Sequence, residues 1–167
     1  MGRTYLLPID PSENCKRALR FYTECLHRDD DTLIFLHVIE PSVKANSVNA
    51  ASNEDSNIYE MTSQAKKSVE SGKALGHKYL AWGREAGINV KAFVETDSKP
   101  GVAILKAAKD HDVDHIVVAS RGLNALGRTF LGSVSSYVIH HAQVPVTVVP
   151  CPDDEKPTGA RSRISLY

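Results

Sequence analysis

The chain has 167 residues, enough for one domain with a sizeable hydrophobic core. Its hydrophobic content of 42% and charged content of 24% are ordinary for a globular protein, and 20 basic residues balance 20 acidic ones. This neutrality and the lack of an apolar stretch near ~20 residues or of a signal-peptide core indicate a cytoplasmic protein that binds neither nucleic acid nor membrane.

The apolar residues alternate along the chain between continuous runs, typical of buried strands, and the three- and four-residue spacing of helices. The predicted strands are 4–10, 32–40, 88–95, 114–120 and 144–150. The predicted helices are 11–26, 62–86, 101–111 and 133–142. This order predicts an α/β fold, an open doubly wound sheet of five parallel strands with helices on both faces.

Single residues predict where several elements end. Ser12 has the side chain of a helix N-cap, Gly87 fits the residue that follows a helix, and Pro100 fits a first helical turn. Pro145 cannot donate a hydrogen bond to a neighbouring strand. The last strand therefore belongs at an edge of the sheet, or at a place where the proline nitrogen faces away from its neighbour.

Two polar segments do not fit the core. We expect one domain over residues 1–151, with a flexible insert at 41–60 that is rich in serine and asparagine. Residues 152–167 have almost no apolar side chains before Ile164, which predicts a disordered tail.

Cysteines and histidines give no metal-ligand pattern. The odd number of cysteines, without zinc-like spacing, indicates reduced thiols at Cys15, Cys25 and Cys151. His140 and His141 would point about 100° apart on a helix and cannot share a metal ion. His37, inside an apolar strand, is interpreted as a core histidine with a hydrogen-bond partner.

The stretch "VVASRGLNALGRTFLGSVSSYV" (117–138) is rich in glycine and serine and raises the question of a phosphate site. The dinucleotide pattern G-x-G-x-x-G is absent. Gly127 and Gly132 have the spacing of a P-loop, but Ser133 occupies the position that requires lysine. Both standard phosphate motifs are therefore excluded.

The position of Gly132 at a predicted helix start is more informative than the spacing. The backbone amides of Ser133, Val134 and Ser135 would be free at the positive end of the helix dipole, and glycine leaves room for an anion. Arg121 and Arg128 are candidates for additional charged contacts. The alternative is that Gly122 only forms a turn and Gly132-Ser133 only cap the helix.

Several motifs, in order along residues 3–150, resemble the universal stress protein family. The family's ATP-binding signature is G-x2-G-x9-G-[ST], and "ASRGLNALGRTFLGSVS" matches it at Gly122, at the nine-residue spacer and at Gly132-Ser133. "LLPID", "LHVIEP" and "HAQVPVTVV" are also similar to the family. The resemblance implies an adenine nucleotide alpha hydrolase-like, Rossmann-like sheet in the order 3-2-1-4-5, with the ligand at the point where the strand order reverses.

The resemblance also implies a nucleotide site and its residues. The cofactor would be ATP, or AMP or ADP in its place, with Mg2+ if a triphosphate is bound. The neighbourhood of Pro8, Ile9 and Asp10 and the backbone of Val38 would hold adenine and ribose, with Asp10 alternatively a helix-capping carboxylate. The remaining binding residues, at the fourth strand and the fourth helix, would be Val118, Ala119, Ser120, Arg121, Gly122, Gly132, Ser133, Val134 and Ser135.

One position departs from the family signature, because Ala119 replaces its first glycine. The methyl group either crowds the ligand or is harmless if the backbone there has ordinary strand angles.

The resemblance as a whole predicts an ATP-binding stress-response regulatory protein, with a dimeric protein-interaction module that binds no nucleotide as the alternative.

The resemblance implies a homodimer through the last strand, Val144 to Pro150, whose exposed edge would otherwise invite aggregation. No carboxylate lies between Ser120 and Pro150, and no catalytic constellation is evident in the sequence. We therefore predict no catalytic residues, no protein metal site and at most slow ATP hydrolysis.

Overall fold

The computed structural model describes residues 2–41, 54–120 and 131–150, with the backbone alone for residues 54–61. The five strands are β1 (Thr4–Pro8), β2 (Thr32–Ile39), β3 (Asn89–Thr96), β4 (His115–Ala119) and β5 (Val146–Val149). The four α-helices are α1 (Glu13–Phe21), α2 (Glu54–Glu85), α3 (Pro100–Asp110) and α4 (Ser133–His141). A π-helical turn, Tyr22–Leu26, follows α1 directly.

The strands form one parallel sheet in the order β3-β2-β1-β4-β5, which confirms the predicted fold class and strand order. β5 is an edge strand, as the proline before it predicted. The amide of Ile116 donates to the carbonyl of Pro145 at 3.0 Å, so this proline contributes an acceptor to the sheet just before the first residue of β5.

The core has two parts, one on each face of the sheet, because successive side chains of a strand point to opposite faces. Tyr5 and Leu7 lie on one face and pack with residues of α1 and α2. Leu6, between them, lies on the other face with residues of α3 and α4. Both faces of β1 are thus buried, which explains why its sequence is apolar without alternation.

The predicted helix ends are confirmed. The Ser12 side chain accepts a hydrogen bond from the amide of Cys15 at 3.3 Å, which is an N-cap contact. Gly87 has φ of 72°, the left-handed conformation that glycine adopts readily after a helix. Pro100 opens α3, where its missing N–H leaves no intrahelical bond unmade.

Two helix boundaries differ from the prediction by more than two residues. The first α-helix ends at Phe21, and the chain continues to Leu26 as a π-helical turn closed by the His27 amide, 2.9 Å from the Tyr22 carbonyl. α2 begins at Glu54, well before 62, so the predicted insert is partly helical. The acidic residues at its start favour a helix N-terminus, which the spacing of apolar residues does not detect. The rest of the insert and the tail, 42–53 and 151–167, lie outside the described residues.

Two glycines of α2 offer a matched test of how closely this helix packs on the sheet. A Cβ atom on Gly83 would lie 2.4 Å from Cγ1 of Val90, whereas one on Gly76 would have its nearest neighbour, Cβ of Ala92, at 3.6 Å. We expect Gly83→Ala to lower the free energy of unfolding by about 1–2 kcal/mol through overpacking. Gly76→Ala should raise it by about 0.5–1 kcal/mol. Urea unfolding measures both, and equal effects would contradict this packing.

Candidate functional site

A cleft opens at the carboxyl end of the sheet, at the switch point where β1 separates the two winding directions. It has a volume of about 190 Å3 and is bounded by the ends of β1, β2 and β4 and by the first turns of α1, α3 and α4. Most of the site residues predicted from the sequence line it, namely Pro8, Ile9, Asp10, Val38, Val118, Ala119, Gly132, Ser133, Val134 and Ser135.

The other three predicted site residues are Ser120, Arg121 and Gly122, of which the structure describes Ser120. Ser120 is buried, and its amide donates to the carbonyl of Val149 at 2.9 Å, which extends the pairing of β4 with β5. Arg121 and Gly122 lie outside the described residues, as does Arg128. Their proposed contacts with a ligand stay predictions.

Asp10 organises the turn from β1 into α1. Its Oδ1 accepts hydrogen bonds from the amide of Ser12, at 2.9 Å, and from the Ser12 hydroxyl. Ser12 in turn caps α1, so the carboxylate supports the cap from behind. Oδ2 takes part in neither of these bonds. The N-cap of α1 is thus Ser12, and Asp10 supports the cap through Ser12 rather than capping the helix itself.

The first turn of α4 has the features of an anion site. Its N-cap residue is Gly132, which has no side chain, so no side-chain hydrogen bond caps the helix amides. The Ser135 hydroxyl donates to the Gly132 carbonyl at 2.9 Å and is thus turned away from those amides. Within residues 131–150, neither Gly132 nor the Ser135 hydroxyl therefore caps these amides, which lie at the positive end of the α4 dipole.

The structure shows that Ala119 has the backbone conformation of an ordinary strand residue. Ala119 is the last residue of β4 and pairs with Val149. Among the non-glycine residues of the described ranges, only Asp112 has a positive φ, of 49°. Ala119 therefore needs none of glycine's conformational freedom. Its half-buried methyl group packs against the core, and contact with a ligand is the one way in which it differs from glycine here.

His37 has the hydrogen-bonded role predicted for it, and it also lines the cleft, which the sequence did not indicate. Its Nδ1 lies 2.8 Å from the carbonyl of Ile9 and donates to it, so the imidazole ties β2 to the end of β1. The proton on Nδ1 leaves Nε2 of a neutral ring as an acceptor.

Further residues that line the cleft were not predicted from the sequence; most belong to the beginnings of α1 and α3, whereas Leu36 lies in β2 and Glu40 directly after it. They are Ser12, Asn14, Cys15, Leu36, Glu40, Pro100 and Ile104. The available signal was topological: in a parallel sheet all the helices that follow a strand begin at the same edge. Applied to α1 and α3, it would have placed their first turns beside the cleft.

Cys15 forms the boundary between the cleft and the core below it. Its Sγ is 3.2 Å from the hydroxyl oxygen of Tyr79, and both side chains are buried. Burial raises the pKa of the Cys15 thiol, and burial likewise raises the pKa of the Tyr79 phenol. Both groups are therefore neutral at physiological pH and serve as packing groups.

Within residues 2–41, 54–120 and 131–150, no three His, Cys, Asp or Glu side chains are grouped so as to hold a metal ion. None of the helices in those ranges combines the length and the apolar character that crossing a bilayer requires.

The strand order and the cleft at its switch point define an adenine nucleotide alpha hydrolase-like α/β protein. The profile of the universal stress protein family matches residues 1–150. The chain is 30% identical over 156 residues to the universal stress protein A-like protein of Arabidopsis thaliana, covering 89% of this chain and 85% of that protein. The chain therefore belongs to the universal stress protein family.

A shorter match has higher identity. Over 51 residues the chain is 53% identical to the universal stress protein Sll1388 of Synechocystis, which covers 30% of this chain and 33% of that protein. The match thus spans about a third of that relative's length.

Solved structures share the fold. The hypothetical protein MJ0577 matches with a TM-score of 0.69 and 27% identity, over 90% of this chain and 97% of that chain. A universal stress protein family protein from Arabidopsis thaliana, solved with AMP bound, matches with a TM-score of 0.64 and 24% identity, over 93% and 96%. A universal stress protein in complex with cAMP matches with a TM-score of 0.54 and 19% identity, over 89% and 97%.

The burial of Cys15 predicts a slow thiol. In a Cys25→Ser, Cys151→Ser variant Cys15 is the only cysteine, and in a Cys15→Ser, Cys151→Ser variant only Cys25, which is exposed, remains. Because burial raises its pKa and covers its sulfur, Cys15 should react with Ellman's reagent at pH 8 at least about tenfold more slowly than Cys25. The rates should converge in denaturant; equal rates in the native proteins would contradict the buried position.

Proposed function

We propose that this universal stress protein binds an adenine nucleotide, ATP with AMP or ADP as alternatives, and acts as a cytoplasmic regulatory protein in a stress response. The observation that carries the proposal is the α4 N-terminus without a side-chain cap, which faces a cleft at the switch point of the sheet. The AMP and cAMP bound to two relatives of the same fold support the choice of an adenine nucleotide.

The cleft divides into two parts with different chemistry. The apolar and backbone groups around Pro8, Ile9 and Val38 suit adenine, and the open oxygen of Asp10 suits a ribose hydroxyl. The amides that begin with Ser133 suit phosphate oxygens. A volume of about 190 Å3 is below the range typical of pockets for drug-sized ligands, so the nucleoside would fill the cavity and the phosphates would lie at its rim.

The proposed role is binding rather than catalysis. Asp10 and Glu40 are the carboxylates that line the described cleft, and Oδ1 of Asp10 is engaged by Ser12. If a triphosphate is bound, Mg2+ would be held by phosphate oxygens and water, with these two acids as the protein groups within reach of the cleft. Any hydrolysis would accordingly be slow.

Gly132→Ala tests the site without disturbing the fold. Gly132 has φ −52° and ψ 151°, which alanine adopts, and among the described residues a Cβ would meet the Ser135 Oγ alone, at an ordinary 3.6 Å. The methyl group would point at the position proposed for phosphate, so we expect ATP affinity, measured by isothermal titration calorimetry, to fall at least about tenfold, equivalent to ~1.4 kcal/mol.

The matched control is Gly76→Ala, the same chemical change on α2, whose nearest neighbours belong to β3. It should leave ATP affinity unchanged, and Ala119→Gly should change it by less than about threefold, because the Ala119 backbone needs no glycine. If wild type binds no nucleotide but Ala119→Gly does, the methyl group closes the site. If none of the four proteins binds, the alternative of a protein-interaction module replaces the nucleotide proposal.

The second part of the proposal is a homodimer through β5, which the resemblance to the family implies. The carbonyls of Pro145 and Val149 accept hydrogen bonds from β4, at 3.0 and 2.9 Å. Because alternate residues of a strand face opposite neighbours, the backbone groups of Val146 and Val148 face outward. Their side chains pack against the core, so charged residues there would destabilise the monomer itself.

Val148→Pro is therefore the better test, since it removes an outward N–H and retains an apolar side chain. We expect a mass by light scattering of twice 18.3 kDa for wild type and 18.3 kDa for the variant. Val148→Thr keeps the N–H and should stay dimeric, and circular dichroism should show all three proteins folded. A folded Val148→Pro variant of unchanged mass would place the interface elsewhere.

A further inference from the structure

A second cavity, separate from the cleft, lies between α1 and α2 and has a volume of about 430 Å3. We call it the α1–α2 groove; it is lined by Pro11, Lys16, Leu19, Arg20, Thr23, Leu75, Lys78, Tyr79 and Trp82. None of these residues lines the cleft. The volume lies within the range of small-molecule pockets.

The floor of the α1–α2 groove is apolar and well supported. Leu19 and Tyr79 are each 7% exposed and belong to the hydrophobic core, and Leu75 and Trp82 are half-buried against it. Phe35 of β2 packs beneath, with ring centroids 5.0 Å from Tyr79 and 6.3 Å from Trp82. The floor is therefore held in place by the sheet, and a ligand would find it already formed.

The rim of the groove carries positive charge. Lys16, Arg20 and Lys78 line it, all three exposed. The acidic neighbour of the rim is Glu13, which pairs with Lys16. The hydrogen bond from Lys16 lowers the pKa of Glu13, and the charges of Lys78 and Arg20 lower it further, as expected of a locally positive field. Arg20 and Lys78 are thus two rim cations in addition to Lys16, which pairs with Glu13.

The apolar floor and the positive rim together favour a ligand with an apolar body and one negatively charged head group. We propose that the α1–α2 groove binds an amphipathic carboxylate, a fatty acid of medium chain length, with its alkyl chain on the Leu19, Leu75 and Trp82 floor. Its carboxylate lies between Arg20 and Lys78. The lining from Lys16 of α1 to Thr23 of the π-helical turn spans about 10 Å at roughly 1.5 Å per residue, which suits a chain of roughly ten carbons.

The chain offers a direct probe, because Trp82 is its only tryptophan and lies on the groove floor. Full-length protein is titrated with sodium decanoate below its micelle concentration while tryptophan emission is recorded. We expect a saturable change with decanoate, and at least about tenfold weaker binding of decyltrimethylammonium, whose charge the rim repels. Decanol should also bind more weakly. Equal binding of all three probes would overturn the assignment of an anionic ligand.

Two variants separate the groove from unspecific surface effects. Arg20→Gln with Lys78→Gln should weaken decanoate binding about fivefold or more, since exposed ion pairs contribute up to about 1 kcal/mol each. Lys73→Gln on the same helix, whose ammonium pairs with Glu70 outside the groove, should leave it unchanged. Decanoate binding should persist in saturating ATP, because the groove and the cleft share no lining residue.

Several results would overturn the proposal. These are the absence of a saturable Trp82 signal, equal affinity in the rim variant and in wild type, and competition between decanoate and ATP. A change of oligomeric mass on Leu75→Glu without any decanoate signal would show that a second copy covers the groove. An acidic amphipathic peptide that changes Trp82 emission where decanoate does not would assign the groove to a protein partner.

Discussion

The parallel pairing of β1 with both β2 and β4 is the constraint on which the rest of this protein depends. β1 lies between β2 on one side and β4 on the other, and from these two strands the sheet continues in opposite directions. The helices that follow β1 and β4 therefore begin on either side of one opening. Asp10 and Gly132 are far apart in sequence and line the same cleft for this reason. The buried faces of β1 supply the free energy that holds this arrangement together.

Much of the fold could be predicted from the sequence because its signals are local. The uninterrupted apolar run of β1, the cap at Ser12 and the left-handed glycine after α2 each reflect a preference of a few neighbouring residues. The strand order came instead from the family resemblance, since periodicity defines strands but not their neighbours. The start of α2 was missed because the three- and four-residue apolar spacing that predicted this helix begins at Ala65, although the acidic residues at its start favour a helix N-terminus.

The candidate site could be predicted only along the strands and at α4, where the family signature applies. His37 was interpreted from the sequence only as a core histidine, and its place in the cleft follows from the register that brings it next to the end of β1. The α1–α2 groove likewise required the structure. Leu19, Leu75 and Trp82 follow helical spacing, which predicts that they face inward but not that the two helices leave a space between them.

The hydrogen bonds around Asp10 have a consequence for recognition in this family member. The Ser12 amide donates to the Asp10 carboxylate, and the Cys15 amide donates to the Ser12 hydroxyl oxygen. These two hydrogen bonds fix the start of α1 without a ligand. A ligand that binds in the cleft would therefore lose no entropy in ordering the turn from β1 into α1. On this side of the cleft, selectivity between ligands would then depend on shape and on Oδ2 of Asp10, which Ser12 does not engage.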